Sequence, residues 1–332
     1  MRREIIVIGI CITVVMIAAA NWTLGRAALN SVPQQTMRKI NGAGPVIGVL
    51  GVGNSLMQSG FDPTSFQDTF QRAGRPVIAV NGGLGSTTQI EQLALTRLAL
   101  RHHTVHDLVY GFSDQQMTTE APLKNSDLIG NHAMLYYQEP QLTLQYARFD
   151  FLDRVEFQTY RCCALLRERS NIWAKVEKMR RAMEEIGMPR QETNQFGRRA
   201  DFDLLEYADP NEFVRRCSEV MRSGDFLSPV VQEIFREAEA SGSRVTVVEM
   251  PMHPIHLTRF YDQAAWKQFR LQNRLAVEGA GAIYIDASRW IPEEGDFQDH
   301  LHLARSGAAR FSRLLAEELM RLAQDHPDSR VR

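Results

Sequence analysis

The sequence predicts an α/β protein on a mostly parallel sheet, interrupted by a largely helical insertion. Three observations carry that expectation. Short apolar runs alternate with helix-period segments, as βαβ units require. The first run, Val46 to Val52, is continuously apolar or glycine, the pattern of a strand buried on both faces. The alternation stops near residue 115 and resumes near 229. At 332 residues the chain is long enough for one full α/β core or two smaller ones.

Taken in order, the strand over Val46–Val52 leads into a helix from about Ser55 to Ala73. Pro76–Val80 reads as a second strand, closing on Asn81-Gly82-Gly83-Leu84-Gly85-Ser86. Thr88 to Arg101 is helical, with Ile90, Leu93, Leu95 and Leu98 among its apolar positions. Asp107–Gly111 is a third strand, closing on Phe112-Ser113-Asp114. Residues 115 to 229 break the pattern and hold helical stretches such as Arg154 to Ile186. The alternation then returns as a helix over Val230–Ala240, a strand over Val245–Met250, a helix over Trp266–Glu278, a strand over Ala282–Asp286 and a helix over Ser306–Ala323. Residues 324–332 form a polar tail.

The N-terminus carries its own expectation. Behind Arg2 and Arg3, Ile5 to Ala20 is apolar or small throughout, and extension through Leu24 gives about 20 residues, enough to cross a bilayer. The arginines place the N-terminus on the cytoplasmic side and the remainder outside. Residues 1–24 are therefore expected to be a single-pass anchor, with Trp22 at the membrane interface. A signal peptide cleaved after Ala18-Ala19-Ala20 is the alternative, leaving a secreted protein. Residues 25–44 are polar, contain Ser31, Pro33, Gln34 and Gln35, and read as a tether to a domain over 45–323.

Charge is balanced, 38 Lys and Arg against 39 Asp and Glu, with no basic tail, which argues against a nucleic-acid partner. Cys217 pairing with Cys162 or Cys163 and buried free thiols are equally consistent with the spacing.

In open parallel sheets ligands gather at the carboxyl ends of the strands. Ser55 ends the first strand, Gly85 and Ser86 follow the second, Ser113 follows the third, and Asp299 and His302 follow the last. These residues include a serine nucleophile, a histidine base and an aspartate to orient it, the three groups of an acyl-transfer triad. Gly53-Asn54-Ser55-Leu56 and Asp299-His300-Leu301-His302-Leu303, with Gly307 beyond, resemble the first and last blocks of the SGNH (GDSL-like) hydrolase superfamily. Phe297, two residues before the Asp, fits its exported, acyltransferase-like branch. The resemblance covers roughly 45–120 and 228–323.

It implies a three-layer, flavodoxin-like α/β/α fold, a Ser-His-Asp enzyme acting on an ester, and no cofactor. The branch and the export signal together imply a carbohydrate or cell-envelope substrate, handled by hydrolysis or by O-acyl transfer. In the oxyanion hole it places the amide of Ser55, that of Gly85 or Ser86, and the residue at 113. Two departures stand out: Asn54 replaces the first-block Asp, and Ser113 replaces a third-block Asn whose side chain donates to the oxyanion. Loss of one such donor costs on the order of a hundredfold or more in rate. A weakly active or inactive binding protein of the same fold is therefore the alternative.

Asn54, Asn81, His253 and His256 stand at the same sheet edge and are expected substrate contacts. The plainer readings are an N-cap for Ser55, turn glycines for Gly82, Gly83 and Gly85, and loop histidines for His253 and His256. His253 and His256 sit in a Pro-containing loop rather than on a helix, which argues against a metal site with Asp299 and His300. His300 falls off the motif spacing and is expected to be exposed. Gly48, Gly51 and Gly53 lack the dinucleotide spacing. Arg161, Arg167, Arg169, Lys175, Lys178, Arg180 and Arg181 fall among acids and read as a solvated helix face, with a surface for anionic lipid or polysaccharide as the alternative.

Overall fold

The computed structural model describes residues 12–23, 32–123, 133–167, 169, 173, 176–177, 179–180 and 209–325. The chain divides into two compact units, one formed by residues 36–120 with 190–332 and the other by 1–35 with 121–189.

The first unit carries the sheet. Helix α1 (Val32–Asn41), which enters it, lies where a polar tether was expected. Pro33, Thr36, Met37 and Ile40 recur at helical spacing and are buried, so period overrides the polar composition there. Strand β1 (Val46–Gly53) leads into α2 (Ser55–Gly60) and α3 (Pro63–Arg72), where the sequence suggests one continuous helix. The break follows from Asp62, whose carboxylate accepts from the amides of Thr64 and Ser65, and from Pro63, which opens a new first turn. Strand β2 (Ala79–Asn81) is shorter than expected, and α4 (Gln89–His102) starts on a Thr88–Glu91 capping box. Strand β3 (Thr104–Phe112) completes the first half.

The five strands are parallel in the order β2-β1-β3-β4-β5, the flavodoxin-like doubly wound arrangement. Alternation along β3 separates the two helical layers. Tyr110 donates to Gln92 on α4 at 2.7 Å, while a Cβ on Gly111 would meet Met57 of α2.

In the other unit α5 (Ala133–Gln138), α6 (Pro140–Tyr146), α7 (Phe151–Cys162) and α8 (Ala164–Arg167) surround an aromatic core. There Phe157 stacks on Tyr137 at 5.2 Å and meets Phe149 at 5.6 Å. Arg167 lies over the Tyr137 ring and Arg169 over Tyr160, so the basic face is partly packed on aromatics; Lys175, Lys178 and Arg181 fall outside the described residues. Residues 12–23 are helical, and residues 1–11 of the expected anchor lie outside the described residues. No helix among the described residues is long and apolar enough to cross a membrane.

The first unit resumes with α9 (Pro210–Ser223), which packs on a later helix of the sheet domain and so belongs to it rather than to the insertion. Helix α10 (Pro229–Ala240), β4 (Arg244–Glu249), α11 (Ala264–Gly279), β5 (Ile283–Asp286) and α12 (Arg305–Asp325) follow, each within a few residues of its expected span. Helix α12 packs on α2 and α3 in one layer, and α10 packs on α4 in the other, giving the expected three-layer α/β/α fold. Cys162, Cys163 and Cys217 are free thiols.

Candidate active site

The site begins with the turn between β1 and α2. Gly53 has φ +154, and a Cβ there would lie 2.5 Å from the Gly111 carbonyl oxygen, so only glycine allows β1 and β3 to close at this level. Asn54 then caps α2, its Oδ1 accepting from the Leu56 amide at 2.9 Å. Asn and Asp are interchangeable as N-caps, so the departure at residue 54 keeps the turn intact. Its side-chain oxygen is thereby engaged in the turn. Ser55 follows as the first residue of α2 and is half-buried.

The loop after β5 brings the other two groups. Phe297 bridges Leu303 in antiparallel fashion, and the Gln298 amide donates to the His302 carbonyl at 2.9 Å, so residues 297–303 form a closed turn. Asp299 lies inside it. Its Oδ1 accepts from the amides of Leu301 (2.9 Å) and His302 (2.7 Å). The His302 Nδ1 sits 2.9 Å from Oδ1 and 2.8 Å from Oδ2, and His302 Nε2 sits 2.9 Å from Ser55 Oγ. With a carboxylate at Nδ1, the ring proton resides on that nitrogen and Nε2 is left to accept from the serine. Burial acts to raise the Asp299 carboxyl, but the hydrogen bond and charge of His302 and the two amides outweigh it and hold the group below its ordinary range.

The β2–α4 loop approaches the serine from the side. Gly82, Gly83 and Leu84 donate their amides to Gly51 O, Asn81 Oδ1 and Gly53 O. The next amide belongs to Gly85, whose Cβ position is 3.8 Å from the Ser55 Cβ. Ser86 is exposed with φ +55, so Gly85 is the better placed of the two. Gln58, one turn beyond Ser55, reaches the Gly85 Cβ position to 2.9 Å and is a neighbour the motifs do not signal. Asn81 is occupied too. Its Nδ2 donates to the carbonyls of Met57 (2.9 Å), Gln58 (3.2 Å) and Phe61 (2.6 Å), so it pins α2 to β2 and is not free for substrate.

Ser113 lies buried at the end of β3, its amide donating to Gln116 Oε1 at 3.0 Å. Asp114 follows with φ +49, donates its amide to Tyr261 Oη at 3.1 Å and holds His256 Nε2 at 3.1 Å. His253 and His256 are therefore interior residues rather than surface contacts. His253 is 1% exposed, accepts from the Ile255 amide and meets the Phe297 ring edge-on. His256 is 5% exposed and packs on Phe260 and Tyr261. The rings of Phe297, Phe260 and Tyr261 packed against them account for the burial, which a Pro-containing loop does not reveal. His300 is half-buried rather than exposed, and burial pulls its imidazole below the ordinary value. Among the described residues no group of three His, Cys, Asp or Glu side chains is arranged to hold a metal ion.

A buried carboxylate lies outside the motifs. Glu249, at the end of β4, is fully buried, accepts from Arg270 (2.9 Å) and Tyr284 (2.5 Å), and is pushed up to about 7 by burial against the pull of Arg270. A cavity of about 510 Å3 opens along β2 between Lys39, Phe61, Ile78 and Gly83; the Ser55–His302–Asp299 chain does not line it.

No family model matches the chain, and no curated protein matches it. Solved structures do. A lipase/acylhydrolase from Enterococcus faecalis is 9% identical, with 82% of this chain and 95% of that one covered at a TM-score of 0.39. A GDSL-like lipase from Bacteroides thetaiotaomicron is 9% identical over 88% of this chain and 98% of that one, with a TM-score of 0.40. A carbohydrate acetylesterase from Sinorhizobium meliloti is 9% identical over 83% and 99%, with a TM-score of 0.37. Superpositions this loose decide nothing about chemistry, which rests on the residues above.

Proposed function

We propose that the protein is an SGNH-like serine esterase or O-acyltransferase that works outside the cytoplasm, held to the membrane by its N-terminal segment. The observation that carries the reading is the unbroken hydrogen-bonded chain from Ser55 Oγ through His302 to Asp299. In the reaction, Ser55 Oγ attacks the acyl carbonyl and passes its proton to His302 Nε2. Asp299 balances the imidazolium charge. The amides of Ser55 and Gly85 receive the oxyanion, with the Ser113 hydroxyl as a third donor. The tetrahedral adduct collapses, the C–O bond to the leaving alcohol breaks, and His302 returns the proton to that alcohol. Water, or a sugar hydroxyl, then takes the acyl group by the same steps in reverse order. The acceptor separates esterase from transferase, and both share the acyl-enzyme.

A carbohydrate or cell-envelope ester is the substrate class that the exported reading favours. The second reading, a binding protein of this fold with little activity, draws on Ser113 standing where an amide donor is expected. Reactivity separates them. A fluorophosphonate probe should label the full chain, and Ser55→Ala should abolish labelling without changing the thermal melt. A folded wild-type chain that takes no label would sink the enzyme reading and leave the binding protein.

A further inference from the structure

We propose that helix α7 lies in the surface of the membrane that the N-terminal segment enters, so that the helical unit meets the bilayer along α7 as well as through the anchor. The inference rests on the anchored reading above and adds a second, peripheral contact to it. Phe157 and Tyr160 point into the aromatic core of the unit and are buried. The outer face of the same helix is also apolar at its start: Phe151 is 77% exposed, Leu152 71% and Val155 50%. A helix facing water carries polar residues there. Three large side chains grouped in one exposed turn mark a surface that something apolar covers.

The occupant follows from what lies next to that helix. Residues 12–23 continue the apolar run of Ile5 to Ala20, and Ile12, Val14, Val15, Met16 and Ile17 are each more than half exposed. The last turn of that segment is tied to the helical unit. Asn21 Oδ1 accepts from the Leu165 amide of α8 at 3.2 Å, and α8 packs on α7. Trp22 is exposed at the same turn, with the amphipathic ring that favours the membrane–water boundary. The point where the chain leaves the bilayer is thus fastened to the helices that expose Phe151, Leu152, Val155 and Leu166. An apolar helix face so placed sinks roughly 5–10 Å into the headgroup region.

Charge sets the lipid preference. Along α7 itself Arg154 and Arg161 are matched by Asp153 and Glu156, so the contact of this helix draws on acyl chains and not on anionic headgroups.

The test uses the full wild-type chain in phosphatidylcholine vesicles doped with a phosphatidylcholine that carries a photoreactive diazirine on its acyl chain. Peptide mapping should find lipid adducts on residues 5–20 and on residues 150–156. Adding phosphatidylglycerol should leave the second set unchanged. Replacing Phe151, Leu152 and Val155 together by Glu should remove the second set, keep the first and preserve fluorophosphonate labelling. Adducts on 5–20 with none on 150–156 overturn the proposal and leave the anchor standing. Adducts on neither remove both. Protection of 150–156 by chain–chain contacts in detergent, without lipid adducts, assigns the face to a second copy and overturns it as well.

Discussion

Replacing Asp299 by Asn should disable the site while leaving the turn that holds it largely in place. The carboxylate makes two kinds of bond. Oδ1 accepts from the amides of Leu301 and His302 at 2.9 and 2.7 Å, and Oδ2 faces His302 Nδ1 at 2.8 Å. An Asn side chain has one oxygen and one NH2. The two backbone amides require the oxygen at Oδ1, which puts the NH2 opposite His302 Nδ1. Although Oδ1 also lies 2.9 Å from Nδ1, it already accepts two amides, and the NH2 at 2.8 Å repels an Nδ1–H; that nitrogen therefore accepts, and the ring proton moves to Nε2, 2.9 Å from Ser55 Oγ. A protonated Nε2 cannot take the serine proton. Loss of the correct tautomer in a well-studied serine protease triad costs about 10^4 in kcat, or about 5.5 kcal/mol of transition-state stabilisation, and that figure is the expected size here. The stability loss should be smaller, because both amide bonds survive with a neutral acceptor in place of a charged one. Second-order labelling by a fluorophosphonate, measured beside a thermal melt, tests both parts. An Asp299→Asn variant that labels within tenfold of wild type would refute the tautomer argument. One that fails to fold would refute the reading of the turn.

Two other perturbations probe the packing under the serine and a buried carboxylate of β4. A Cβ on Gly83 would sit 2.4 Å from the Gln58 nitrogen and 2.8 Å from the Met57 carbonyl carbon, so Gly83→Ala drives backbone against backbone beneath the serine. It should destabilise by about 1–3 kcal/mol or more and slow labelling, whereas Gly295→Ala, which meets nothing within 4 Å, should do neither. Glu249 is raised from 4.5 to about 7 in the fold, so its neutral form is the one the fold favours. Its contribution to stability is full below about pH 4.5 and lost as pH rises toward 7, a span worth a few kcal/mol. Denaturant titrations across that range should therefore show a falling stability that Glu249→Gln flattens; an unchanged slope in the variant would place the effect elsewhere. Asp299 acts with the opposite sign, stabilising above the ordinary carboxylate range and losing its effect as acid protonates it.

Strands β1, β3, β4 and β5 were legible because each is an apolar run bounded by polar or turn residues, and the Asp299–His302 spacing pointed at a local turn. The single helix expected over 55–73 failed at Asp62-Pro63, a cap-and-proline pair visible in the sequence but outweighed by the apolar period on either side. Helix α1 was hidden because its buried residues include Pro33 and Thr36, which composition counts as polar or as breakers. The pins of the site were the least legible. Asn81 binds two carbonyls of α2 and that of Phe61 just past it, Gln58 closes on Gly85, and Tyr261 and His256 hold Asp114. None of these partners is adjacent in sequence, and no local pattern encodes a bond made across the fold. The site's ends were readable from motifs; its supports were not.

The Ser55–His302 hydrogen bond joins residues 247 apart, so almost all of the sheet domain lies between the two in the chain. During synthesis the serine therefore emerges early, at the end of a strand whose neighbours β2 and β3, and β4 and β5 beyond them, have still to be made. Until the last of those strands and the turn after it have been made, no base stands beside that hydroxyl. A chain still being made therefore carries that serine without its base, and the pair is complete only when the last strand and the turn after it have docked.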